Sequence, residues 1–183
     1  MNKKVLKTVI LFLLFSNIVT GQEYERYNKL LDTSITSKHL GYDKNITVTV
    51  PFDWQENSKK EYPLIIIFDR QNNRSHQYML NTIDYLTSNE QMPSAIIISV
   101  ESERKYRYLE TQYKVSSKNG LANENENFIF KELIPYAENK LNASSFRLLI
   151  GHSRYGYFTT SLFHSKINDV NAMFRAKFVA PNI

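Results

Sequence analysis

Four short, largely apolar runs constrain this chain more than any other feature. They are PLIIIF (63–68), AIIISV (95–100), FRLLI (146–150) and FRAKFVA (174–180). A run of this length, rich in β-branched side chains, suits a strand covered on both faces. The stretches between them carry helical spacing. Residues 77–86 place Met79, Ile83 and Leu86 on one side. Residues 126–141 offer Phe128, Phe130, Leu133, Ile134 and Tyr136 to a core, and residues 155–163 follow the third run. Buried strands alternating with helices predict an α/β domain, with a mostly parallel sheet and helices on both faces. Pro135 lies within the second helix and predicts a kink or a restarted turn there.

Upstream, ITVTV (46–50) alternates strictly, as a half-buried strand does, and Pro51 stops it. Residues 34–39 read as a second strand. The turn-forming GYDKN (41–45) between them predicts an N-terminal β-hairpin. Residues 22–31 read as a short helix or a loose lead-in. Residues 101–127 are polar with scattered tyrosines, and a connection this long generally covers or serves a site.

The first 21 residues have a different character. A basic start (Lys3, Lys4, Lys7) precedes the apolar VILFLLF (9–15), and small residues lead to Gln22. This three-part pattern predicts a cleaved signal peptide over 1–21, and so a secreted or periplasmic protein with no membrane association after cleavage. The apolar run is short for a bilayer span, which needs about 20 residues. Three of the net +5 charges belong to those lysines. The remaining basic residues are interspersed with acidic ones and form no stripe of the kind nucleic acid binding requires. The chain has no cysteine, which excludes disulfides, a thiol nucleophile and cysteine zinc sites. It shows no His-x-x-x-His spacing and no glycine-rich phosphate loop, so no metal and no cofactor is expected.

The stretch that carries chemistry is LLIGHSRYG (148–156). It sets Ser153 between a buried strand and a helix, third in the α/β series. A nucleophile elbow requires that placement: a sharp turn lifts the serine hydroxyl off the sheet edge, and the next amide faces the oxyanion. Gly151 supplies the small residue on one side. On the other side Tyr155 stands where G-x-S-x-G has glycine, and Gly156 follows it. The same sequence also suits a serine that merely caps a helix.

These segments together resemble the Putative esterase family of α/β hydrolases, which includes esterase D-like and enterochelin-esterase-like enzymes. The matching stretches are KNITVTVP (44–51), YPLIIIFDRQ (62–71), MPSAIIISVES (92–102), FIFKELIPYAENKL (128–141), RLLIGHSRYGYFTTSLF (147–163) and FVAP (178–181). The resemblance implies a small-molecule ester substrate and Ser153 as catalytic nucleophile. It also implies oxyanion donors from the Arg154 amide and from the loop near Arg70 and Gln71, with Gln71 the assigned position. The family carries Asp-Gly where this chain has Asp69-Arg70. Arg107 and Thr111 match polar positions of a loop bordering the site.

In this fold the acid and the base follow the nucleophile, in that order. After Ser153 the chain offers His164, then Asp169, which is the reverse order. His164 reads as a helix-surface or helix-end residue, and His152 as one that packs or hydrogen-bonds under the elbow. His39 and His76 precede the elbow. Residues 22–183 are therefore expected to form an α/β-hydrolase domain whose C-terminal part is missing, with little activity of its own. Two other readings stand beside the ester hydrolase: a non-catalytic binding protein on the hydrolase fold, and an acyltransferase resolving the same acyl-serine with an alcohol.

Overall fold

The computed structural model describes residues 26–115, 118–166 and 168–176. The predicted signal peptide and the end of the fourth run (177–180) lie outside these residues. Six strands form one sheet in the order β1-β2-β4-β3-β7-β8. They are β1 (Tyr27–Thr36), β2 (Asp43–Pro51), β3 (Tyr62–Phe68), β4 (Ile96–Val100), β7 (Ala143–His152) and β8 (Ala172–Ala176). β4, β3, β7 and β8 run parallel, while β1 and β2 form an antiparallel hairpin on one flank.

The apolar runs occupy the middle of this sheet because they are covered twice. Leu64, Ile66 and Phe68 of β3 pack into the larger core, and Ile65 and Ile67 into the smaller one. Helix α1 (Asn73–Ser88) covers the smaller core with Met79 and Ile83. The opposite face receives α2 (Ala122–Phe128), α3 (Ile134–Leu141) and α4 (Arg154–Ser165). β2 is covered once: Ile46, Val48 and Val50 face the larger core, whereas Thr47 and Thr49 line an open cleft.

Three expectations change. The first strand starts at Tyr27, so the lead-in expected as helix or loose chain belongs largely to β1, and the turn after it spans residues 37–42. β1 is an outer strand with mostly exposed side chains, so no apolar alternation marked it. The long polar connection also has structure of its own. It holds a 3-10 turn (Leu109–Thr111), then β5 (Lys114–Val115) paired with β6 (Lys118–Asn119), then α2. Finally, the irregularity expected at Pro135 is a π turn (Ile129–Leu133) just ahead of it, after which α3 starts with the proline in its first turn. Proline has no N–H for the helical ladder, so the first turn is the position that tolerates it.

Candidate active site

β3, β4 and β7 are parallel, so their C-terminal ends open onto one edge of the sheet, and β3 lies directly between the other two. β7 ends at His152 and α4 begins at Arg154, which leaves Ser153 alone to make the turn. Its backbone takes φ 55° and ψ −114°. A positive φ in a residue with a β-carbon costs on the order of 1–3 kcal/mol and persists only where the surroundings impose it. Gly151 shows how tight the surroundings are. A β-carbon there would lie 2.3 Å from the Tyr155 carbonyl oxygen and 2.8 Å from the Gly156 nitrogen. The strand and the helix approach each other backbone to backbone, which only glycine allows.

Ser153 is exposed and makes no capping bond with its side chain. A capping serine would accept from an amide in the first helical turn, usually with β-region dihedrals; this one does neither. The Arg154 N–H is the first of α4 and has no partner within the helix. The Arg154 guanidinium lies 4.6 Å from the centre of the Tyr108 ring, which brings the 101–121 connection against the turn.

The loop after β3 emerges beside the turn. Asp69 has φ 65° and is fully buried. Arg107 holds its carboxylate with two donors, Nε at 2.7 Å and a terminal nitrogen. That contact raises the Arg107 pKa further above its ordinary value, against the opposing effect of burial. The Arg70 N–H donates to the Val100 carbonyl at 3.1 Å. Of the two amides expected near the oxyanion, Arg70's is thus committed. The Gln71 amide has no bond to a backbone acceptor among the described residues. The Gln71 side chain bridges its neighbours: Nε2 donates to Asp69 Oδ1, and Oε1 accepts from the Ser102 N–H, both at 3.0 Å.

A family model described as Putative esterase matches residues 37–163. This chain belongs to the Putative esterase family. No curated protein sequence matches it. Solved structures share its fold. An IroE-like serine hydrolase from Shewanella oneidensis superposes with TM-score 0.64 at 21% identity, over 78% of this chain and 48% of its own. The BES protein from Bacillus cereus gives TM-score 0.66 at 19% identity, over 86% and 63%. An enterochelin esterase from Shigella flexneri gives 0.62 at 13% identity, over 79% and 35%. The chain thus spans between about a third and two thirds of the length of these three proteins.

Within this esterase-family fold the four histidines are dispersed. His39 is exposed in the hairpin turn, and His164 is exposed in the last turn of α4. His76 sits on α1, with Nε2 2.8 Å from Ser99 Oγ of β4; burial first, and then Arg70, lowers its pKa. His152 is half-buried at the end of β7. Among the described residues no helix is long and apolar enough to cross a membrane, and no group of three or more metal-ligating side chains gathers. The largest cleft, about 620 Å³, lies over the outer face of β1 and β2 beside α1. Arg70, Gln71 and Glu101 reach it, but Ser153 does not line it.

The sequence gave no sign of one further feature. Lys44, Glu110 and Ser102 are all buried and bonded together, and Tyr42 and Tyr155 donate to the same carboxylate. Lys44 and Glu110 are 66 positions apart. The only local hint is a charged residue opening an apolar strand.

Proposed function

We propose that Ser153 is the nucleophile of an ester hydrolase acting on a small-molecule ester. The observation behind this is the Ser153 turn itself: a strained backbone, an exposed hydroxyl with no capping bond, and Gly151 giving the clearance the turn needs. A strained serine with no structural bond to make is better explained by reaction than by capping or by passive binding.

In this reading Ser153 Oγ attacks the ester carbonyl carbon while a base takes its proton. The resulting oxyanion is held by the amides of Arg154 and Gln71. Expulsion of the alcohol leaves an acyl-Ser153 ester, which water, or an acceptor alcohol in a transferase, then resolves. His39, His76 and His164 are not placed to be that base, so turnover by the 183-residue chain alone is expected to be slow. The leader directs the protein to a secreted or periplasmic location.

The test is single-turnover acylation by p-nitrophenyl acetate or a fluorophosphonate, with the adduct located by peptide mass spectrometry. One equivalent should accumulate on the Ser153 peptide and vanish in Ser153→Ala. Adducts confined to lysines and tyrosines, with none on Ser153, would remove the serine from the mechanism and leave the binding-protein reading.

A further inference from the structure

Tyr155 occupies the elbow position where the motif has glycine, and its side chain is fully buried. The ring stacks on Phe68 at the end of β3, with centroids 4.8 Å apart. The hydroxyl donates to Glu110 Oε2 and lies against Ser102 Oγ. Ser102 Oγ donates to the same carboxylate oxygen at 2.7 Å. Lys44 Nζ lies 2.9 Å from both Glu110 oxygens, and Tyr42 donates to Oε1 at 2.6 Å. Burial alone would raise the Glu110 pKa, but Lys44 and the three donors more than reverse this and keep it a carboxylate. Burial, together with the Glu110 charge beside it, raises the Tyr155 pKa well above its ordinary value, so its hydroxyl remains a donor.

The arrangement does not end at this cluster. The backbone N–H of Ser102 donates to Gln71 Oε1, and Gln71 Nε2 donates to Asp69, which Arg107 clamps. One continuous set of bonds therefore runs from the residue after Arg154 to Gln71 itself. Bonds to charged groups are the strong ones, and a fully satisfied buried network admits one arrangement. We propose that Tyr155 is a positioning residue: through Glu110 and Ser102 it fixes the Gln71 loop relative to the Ser153–Arg154 turn, setting the spacing of the two amides. Its catalytic meaning rests on the esterase reading of Ser153, whereas the mechanical link does not.

Tyr155→Phe keeps the stack on Phe68 and removes only the hydroxyl. In the ¹⁵N-labelled 183-residue chain, its backbone and side-chain Gln71 resonances should shift, although Tyr155 does not touch Gln71. Ser102→Ala, which keeps Tyr155, should shift the same resonances, and it provides the reading if Tyr155→Phe does not fold. Shifts that stop at Tyr42, Lys44 and Glu110, with Gln71 unmoved in both variants, would overturn the link. For Ser153 acylation by p-nitrophenyl acetate, Tyr155→Phe should lower the maximal rate about tenfold and leave half-saturation unchanged. A merely structural loss would instead lower the fraction of reactive protein at an unchanged rate, and that result would also overturn the proposal. Absence of a Ser153 adduct in the wild type would remove the esterase reading, and the Gln71 resonances would still decide the link.

Discussion

Arg70 and Tyr155 leave the ends of neighbouring strands, and each stands where the family pattern has glycine. Arg70 turns outward to the cleft wall, bonding Asp32, Thr47 and Glu101, with its side chain 24% exposed and that of Asp32 50% exposed. Tyr155 turns inward beneath the elbow, to a carboxylate that water does not reach. Both gained polar partners, but only one has partners that must be satisfied. Exposed ion pairs contribute about 0–1 kcal/mol, whereas a buried charge left without its partner costs several. A substitution at the rim can be absorbed by the surface, whereas one under the elbow commits residues from β2, β4 and the 3-10 turn together.

The contrast breaks first at Glu110. Glu110→Ala leaves Lys44 buried without its counter-charge and should cost about 3–5 kcal/mol in urea unfolding; a loss below 1 kcal/mol would put the two regions on equal terms. Tyr155→Phe should cost about 1.5–3 kcal/mol by the same measurement, as for a hydrogen bond to a charged group. Arg70→Gly should change stability by about 1 kcal/mol or less, and the difference should disappear in about 1 M salt, where exposed charges are screened. The smallest expected effect is on His76, whose pKa burial, and secondarily Arg70, holds below the ordinary 6.5. The unfolded chain therefore takes up this proton first, and the His76 contribution to stability is lost as pH falls from 6.5 through the folded value. An NMR titration of Arg70→Gly should show the His76 midpoint moving up, toward 6.5 but short of it, because burial remains.

The sequence revealed the parts of the molecule whose physics is local. β3 and β4 are apolar on both faces and so read as continuous runs, and Ser153 was marked by the strand before it and the helix after it. β1 escaped because an outer strand with exposed side chains has no apolar period. Gln71 was reached by resemblance, and Arg70's amide dropped out only when its bond to Val100 was seen. Tyr155 was visible as a departure from the motif, but its partner was not. Nothing near Glu110 or Lys44 tells that they meet, because that contact depends on strand order and on the path of the 101–121 connection.

The π turn at Ile129–Leu133 has a consequence for how this chain tolerates change. A π turn holds one residue more than the α-helical path needs, and each residue added to or removed from an α-helix rotates everything beyond it by about 100°. Phe128 and Ile129 before the irregularity and Ala137 and Leu141 after it all reach the same core. Deleting Lys131, a residue of the turn outside the core set, would restore a regular helix and swing Ala137 and Leu141 off that core, together with the Leu141 carbonyl that accepts from Trp54. The extra residue sets the rotational phase between the two halves of the segment, so length here is under tighter control than the identity of any surface side chain along it.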